Sequence, residues 1–450
     1  MAEAPGLIKT DTRTLPPAGP LRYHPTMHLA ELLPPIPAPG SLLAVRGDVL
    51  RLSLPEARLG ERVRVGGVLA EVVGFDVTEA TALPLEPVGG LVSGAAVVRC
   101  EAQPCVSPSE SLIGRIIDGL GRPLDGGPPL PEATWPLHRP APDPLTRRPV
   151  DTALPLGIRV LDALCTVGRG QRLGLEAGPG VGKSTLLRQI AAQARVDAVV
   201  IALIGERGRE VGAFLARLPA EARRRSVIVL ARADDPPLLW LRAAELATAV
   251  AEGFRERNQS ALLLIDSLTR VARAIRTVGV AAGEPVTRRG FPVSLATAIA
   301  GLLERAANSD QGWLTALYTV LVEGDASDDP VAEEARALLD GHIALDAHLA
   351  GAGRFPAVDI ARSISRCMTD VVQEPHRRAA STLRRWLAGL TRQQDLIAVG
   401  AYQRGADPDA DAGLRTRDAI EAFLRQGPND IADFTDTQRR LQGLVATTGR

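Results

Sequence analysis

Apolar residues change their spacing along the chain, and the changes divide it. Between residues 26 and 100 they alternate: Leu50, Leu52 and Leu54 with Arg51 and Ser53 between them, Val63 and Val65 with Arg62 and Arg64. A period of two marks half-buried strands, and the pairs Gly47-Asp48, Gly66-Gly67 and Gly89-Gly90 punctuate them as turns. Several short strands at such spacing predict a small antiparallel β-barrel. From 151 to about 372 unbroken apolar runs take over, at 198–204, 227–231, 261–265, 315–322 and 342–345. Helical patterns such as 239–255 separate them, which predicts a parallel sheet covered by crossover helices. After 373 the strand signal ends, and 377–390, 394–401 and 414–425 carry helical spacing.

The expected organisation is a flexible Pro-rich tail at 1–25, a barrel at 26–100, an α/β domain at 101–372 and a helical domain at 373–450. Within the second boundary, Pro/Gly-rich residues 101–150 connect barrel to sheet, and 112–123 reads as a strand followed by turn chemistry. The length of 450 residues suits two to four domains.

Composition narrows the class. With 45% hydrophobic and 23% charged residues the chain is an ordinary globular protein. Lys plus Arg balances Asp plus Glu at 52 each, which argues against a free-standing nucleic-acid binder. The barrel also has few aromatics on which bases would stack. Cys100, Cys105, Cys165 and Cys367 form no Cys-x-x-Cys pair and suit a reducing compartment. No apolar run approaches the ~18 residues of a membrane span, and no apolar signal core opens the chain, so a cytosolic location is expected. The cluster Arg223-Arg224-Arg225 is expected to be a solvated corner.

One stretch carries chemistry by its form: Gly178-Pro179-Gly180-Val181-Gly182-Lys183-Ser184-Thr185, preceded by Ala177. A strand pattern leads in from Gln171, and a helical pattern (184–195) leads out. Strand, Gly-rich turn, Gly-Lys-Ser and helix make a phosphate-binding loop. The glycines let successive N–H groups face an anion, and the helix N-terminus adds positive charge at the same place. Lys183 can reach the terminal phosphates of a nucleotide, and the Ser184 hydroxyl can ligate Mg²⁺. Asp266, at the carboxyl end of the 261–265 run, is the acid for the metal's far side. Ser267 follows it, so no second acid stands there. Glu206, directly after 198–204, is the remaining candidate to orient water. By composition alone it is equally a member of a surface loop with local ion pairs.

Further along, motifs recur in order: Gly205-Glu206-Arg207-Gly208-Arg209-Glu210, Asp266-Ser267-Leu268-Thr269-Arg270, Gly283-Glu284-Pro285, Arg288-Arg289-Gly290-Phe291-Pro292, Phe355-Pro356-Ala357-Val358-Asp359, Ser363-Ile364-Ser365-Arg366 and Tyr402-Gln403-Arg404-Gly405. This series, spanning about 112–425, resembles the protein-export ATPases of type III secretion, both injectisome and flagellar, relatives of the catalytic subunit of rotary ATP synthases. The resemblance implies a RecA-like core with an N-terminal barrel and helical C-terminus, and a homohexamer turning over ATP with Mg²⁺. It implies that Glu206 activates water, Arg207 orders the γ-phosphate region, Lys183 and Ser184 hold phosphate and metal, Asp266 is the strand acid, and Phe355 stacks on adenine. Tyr402 falls near the base. Arg366 matches an arginine finger that enters the neighbouring subunit's site. The implied partners are a stator-like regulator, a central stalk protein, an export gate and chaperone–substrate complexes, at the cytosolic face of the inner membrane. The implied work is chaperone release, unfolding and export of cargo.

Two departures stand out. Glu176 occupies a place where the family has a hydrophobic residue, where an acid would weaken nucleotide binding or pair with an arginine. Residues 293–300, toward the hexamer pore or an interface, lack the family's Pro-Ser-Val-Phe run. The Pro-rich N-terminus shows no amphipathic helix for the regulator. Two other readings share the core. A hexameric RNA translocase of the transcription-termination type calls for a basic, aromatic barrel. A non-catalytic nucleotide-binding ring subunit calls for a missing catalytic glutamate.

Overall fold

The structure is a computed structural model, and it describes residues 40–100, 105–132, 134–322 and 329–446. The tail expected at 1–25 lies outside them. The expected barrel is present, as strands β1 (Gly40–Arg46), β2 (Val49–Ser53), β3 (Arg62–Val65), β4 (Val68–Phe75), β5 (Ala80–Pro84) and β6 (Ala96–Arg99). They close in the order β1-β2-β5-β4-β3-β6, every pair antiparallel. Leu50, Leu52, Val63 and Val65 fill its interior and Arg64 faces out, so the alternation has one dry side. Closure leaves no free strand edge.

A short ribbon of β7 (Cys105–Val106) and β9 (Trp135–Pro136) flanks β8 (Ile116–Asp118), the first strand of the main sheet. The sheet continues with β10 (Arg172–Ala177), β11 (Ala198–Glu206), β12 (Ser226–Arg232), β13 (Ser260–Asp266), β14 (Trp313–Leu321), β15 (Gly341–Leu345) and β16 (Val358–Ser365). Its eight strands run in the order β16-β15-β10-β14-β13-β11-β12-β8. All neighbours are parallel except β16, which turns back along β15. Every apolar run predicted as a strand is one, with ends shifted by a residue or two; that expected at 315–322 runs from Trp313 to Leu321. Strands buried on both faces read as continuous apolar runs, which is why these were legible.

The barrel sits on the sheet's helical layer through Val73, Leu83 and Leu85 against Leu238 and Leu239. Beside this apolar contact, Arg242 of the helix Pro237–Arg255 pairs with Glu71 of β4 and with Glu245, all well buried. Burial alone would depress the guanidinium's pKa, but the two carboxylates outweigh it and hold the charge firmly in place. Breaking a buried pair leaves an uncompensated charge. Glu71→Ala is therefore expected to destabilise the protein by about 3–5 kcal/mol, lowering the urea midpoint, with Glu71→Gln less damaging.

The C-terminal helices are Glu374–Arg392, Gln394–Ala398, Pro408–Arg415, Arg417–Leu424 and Phe434–Ala446. The pattern at 414–425 predicts one helix, but the chain breaks at Thr416, whose hydroxyl bonds back to the Ala412 carbonyl. The last helix buries only Thr437 and Leu441, too sparse a stripe to show in the sequence. The arginine cluster is also more than a solvated corner. Arg223 and Arg224 are exposed, but Arg225 donates to the carbonyls of Ala191, Ala192, Ala194 and Val196, closing the end of the helix Lys183–Gln193.

Candidate nucleotide site

The Gly-rich turn leaves β10 at Ala177 and enters the helix Lys183–Gln193. Gly180 (φ 75°) and Gly182 (φ 96°) adopt left-handed backbone that a side chain would strain, so glycine is required at both. The turn aims the first N–H groups of the helix outward. Ser184 is exposed at this terminus and Lys183 half-buried behind it.

Two other strand ends meet Lys183, and a third strand supports one of them. Its ammonium donates to Asp266 Oδ1 at the end of β13 and lies 3.8 Å from Glu206 Oε1 at the end of β11. Thr319 of β14 donates to the same Asp266 oxygen at 2.7 Å. The parallel register puts these residues side by side at the carboxyl edge, although 83 residues separate Lys183 from Asp266. The ends of the sheet thus gather the loop lysine, the strand acid and the candidate water-orienting glutamate.

Glu206 has its pKa pushed up to about 7, first by burial, then by a hydrogen bond shared with Glu210 and by the charge of Asp266, with Lys183 opposing. Glu210, more exposed, moves the other way because it accepts that hydrogen bond. The buried member of the pair therefore holds the proton in the nucleotide-free protein. A carboxyl raised above its ordinary 4.5 binds a proton in the folded state that the unfolded chain releases, so stability falls as pH rises from about 4.5 to 7. Glu206→Gln removes this titration. The nucleotide-free variant is expected to melt higher than wild type at pH 8, and the two curves should converge below pH 4.5; differential scanning calorimetry decides it.

Arg207 is exposed, with Glu210 3.9 Å away. Arg270, which the motifs contain but sequence reasoning gave no role, packs its stem on Gly205 and buries an unpartnered Nε beside this edge. Such an orphaned N–H is a sign of a site built for an acceptor.

Phe355 lies against Gly182: a Cβ at Gly182 would stand 3.5 Å from its ring. The ring borders a cavity of about 910 Å³, lined by Val181, Gly182, Thr185, Gln189, Leu345, Pro356, Gln426, Pro428, Asn429 and Ile431 among others. None of Lys183, Glu206 and Asp266 lines it, so an apolar pocket and a charged edge meet at the Gly-rich turn. The segment 426–431 was not anticipated. Its backbone is tied in by Gln426 N donating to the Phe355 carbonyl at 2.8 Å. Tyr402 is elsewhere, its hydroxyl donating to the Asp407 carbonyl and Asp411.

Arg366 is not at this site. It follows β16, and because β16 is antiparallel, Ser365 pairs with Gly341 at the start of β15. Arg366 N donates to the Asp340 carbonyl, and Arg172 N, at the start of β10, donates to the Asp340 carboxylate. Arg366 is therefore level with the beginning of β10, while the loop leaves its end. Six residues at about 3.3 Å each separate the two by roughly 20 Å. Its guanidinium rests on the carbonyls of Leu339 (3.2 Å) and Arg336 (3.3 Å).

Glu176 is buried in β10 and takes a two-point hydrogen-bonded pair from Arg336, Nε to Oε1 and Nη2 to Oε2, both 2.6 Å. The acid beside the loop is thus paired with an arginine. The departure at 293–300 yields Ser294, which bonds Glu284, followed by the helix Leu295–Arg305.

Comparison with known proteins gives two family matches. Residues 157–365 match the family model of the ATP synthase alpha/beta family, nucleotide-binding domain, and residues 372–443 that of the T3SS EscN ATPase C-terminal domain. The chain is 46% identical to a type 3 secretion system ATPase of Sinorhizobium fredii over 415 residues, covering 90% of this chain and 92% of the relative. It is 43% identical to the flagellum-specific ATP synthase of Salmonella typhimurium, covering 92% and 95%. Among solved structures it is similar to the assembled ATPase EscN of the enteropathogenic E. coli type III secretion system, with a TM-score of 0.86 at 41% identity, covering 90% of this chain and 100% of that one. The same ATPase in complex with its central stalk EscO gives a TM-score of 0.83.

Proposed function

The chain belongs to the family of type 3 secretion system and flagellum-specific ATPases, and from that premise we propose that it hydrolyses ATP in a homohexameric ring whose sites are shared between neighbours, driving protein export. The observation that carries the shared site is the placement of Arg366 at the sheet edge opposite its own phosphate loop.

The residues divide the work as follows. The loop at 178–185, through the N–H groups of residues 180–184, and the Lys183 ammonium bind the β- and γ-phosphates. Lys183 is held in advance by Asp266 and Glu206. A hydroxyl (Ser184) and a carboxylate (Asp266) beside phosphate oxygens suit a hard cation. Mg²⁺ held there would neutralise charge on the phosphates. Glu206 accepts the hydrogen bond of the attacking water and aligns it; with Lys183 brought into contact with phosphate, its own burial keeps it a weak enough acid to take a proton near neutral pH. Arg207 and the orphaned Arg270 Nε supply further cations for the γ-phosphate region. Arg366 of the neighbouring subunit stabilises the charge on the transferring phosphoryl group.

Adenine enters the apolar cavity against Phe355, with the 426–431 segment as its far wall. Stacking is uniform binding, made equally in ground and transition states, so Phe355→Ala is expected to raise KM for ATP roughly tenfold and leave kcat nearly unchanged. Steady-state kinetics separate the two parameters.

By likeness to EscN in complex with its central stalk EscO, a central stalk protein is a partner of the ring; the resemblance of the motifs adds an export gate and chaperone–substrate pairs, faced by the helical C-terminal region. The ring works on the cytoplasmic side of the inner membrane. Because no monomer completes a site, specific activity should climb steeply with protein concentration as rings assemble. Activity independent of concentration from the monomer upward, followed by light scattering, would refute the shared site.

A further inference from the structure

A buried carboxylate in a central strand is costly unless it is paired, and Glu176 is nearly fully buried. Its partner, Arg336, is on the last turn of the helix Pro330–Leu338. The two-point pair fixes the plane of the guanidinium and with it that turn of helix. The last carbonyls of a helix have no partner within it and carry its negative end. Two main-chain carbonyls at this terminus, those of Arg336 and Leu339, are the acceptors on which the Arg366 guanidinium rests.

The helix end is thus a seat for Arg366, and β10 holds it at two points. At the start of the strand, Arg172 Nε and Nη2 each reach the Asp340 carboxylate at 3.3 Å, and the Asp340 carbonyl accepts from Arg366 N. Four residues on, Glu176 grips Arg336. Residues four apart in a strand share a face, so both ties act on the same side of the sheet. Asp340 orients the finger's backbone; Glu176, through Arg336, orients the carbonyls under its guanidinium. Nothing in the geometry of the phosphate loop itself requires an acid at 176.

We propose that Glu176 is a positioning residue for the arginine finger: through Arg336 it sets the carbonyl seat of Arg366, and so governs turnover in the neighbouring subunit's site rather than in its own. The inference rests on the reading of Arg366 as a finger acting in trans.

Mixed rings separate the two sides of each interface. A subunit carrying Arg366→Ala offers an intact phosphate edge and no finger; one carrying Glu206→Gln offers a finger and no catalytic glutamate. Glu176→Leu is placed in one or the other before equimolar mixing. In the finger donor it should lower kcat of the mixed rings roughly tenfold with KM for ATP unchanged, because a misplaced catalytic group slows chemistry without weakening substrate binding. In the finger acceptor it should change neither. Arg336→Gln in the donor should reproduce the loss, and melting curves confirm that each variant is folded. Equal loss in both placements, loss in the acceptor alone, or no loss in either overturns the proposal. Control rings without any change at 176 that fail to turn over overturn the trans reading itself, a distinct outcome.

Discussion

Arg366→Ala is expected to lower ATP turnover by the assembled ring about 10³–10⁵-fold, with nucleotide affinity near that of the wild type. The size follows from where the charge acts. A guanidinium meeting the spread charge of a transferring phosphoryl group works in a site from which water is excluded, and its attraction is strongest in the transition state. The specificity follows from the sheet. The antiparallel turn of β16 carries Arg366 to the amino-terminal edge, level with Arg172, so its own Lys183 is out of reach. In the function proposed above, ground-state contacts to the base and phosphates are assigned to Phe355 and the Gly-rich loop, which pack together and which the substitution leaves intact. A fluorescent ATP analogue should therefore bind the variant ring normally while steady-state hydrolysis is lost.

Glu206→Gln should reduce kcat about 10²–10⁴-fold and hardly alter KM. Glutamine fills the same space at the end of β11 and still accepts one hydrogen bond, but it cannot take a proton. In the wild type, activity should fall as pH drops below the value of about 7 to which burial and Glu210 raise this carboxyl, since a protonated Glu206 no longer serves as acceptor for the water's proton. Bound phosphate draws Lys183 away from the carboxylates, and the developing charge of ATP keeps the pKa high, so the acid limb of the kcat–pH profile should persist. Glu210→Gln removes the partner whose hydrogen bond raises Glu206 and should shift that limb to lower pH. A profile unchanged by Glu210→Gln would disconnect the pair from catalysis.

The residues behind the two substitutions became legible in different ways. Lys183, Asp266 and Glu206 were visible in the sequence: Lys183 through the Gly-rich motif between strand and helix, Asp266 and Glu206 because each ends an apolar run, and parallel strands must bring their carboxyl ends to one edge. The barrel was visible for a similar reason, since strict alternation such as Leu50, Leu52, Val63 and Val65 has few other solutions. Arg366 had no such local sign. Only the ordered series of motifs marked it, and only the reversed direction of β16 places it at the edge away from its own phosphate loop. Other features depended on pairing across long stretches of chain. Arg336 lies 160 residues from Glu176, and no spacing rule joins them. The 426–431 wall of the cavity beside Phe355 is a coil without periodicity, and the helix Phe434–Ala446 hides behind a polar surface. The break at Thr416 turns on one hydroxyl, and the role of Arg225 on four carbonyls of a helix end distant in sequence.

The claim on which the rest depends is that each site draws Glu206 from one subunit and Arg366 from the next. Mixing equimolar Glu206→Gln and Arg366→Ala proteins, each nearly inactive alone, tests it directly. If the finger acts in trans, about a quarter of the interfaces in randomly mixed rings pair an intact Glu206 with an intact Arg366, and a matching fraction of wild-type ATPase activity returns. If both residues serve the site of their own chain, no combination restores a complete site, and the mixture stays as inactive as its parts.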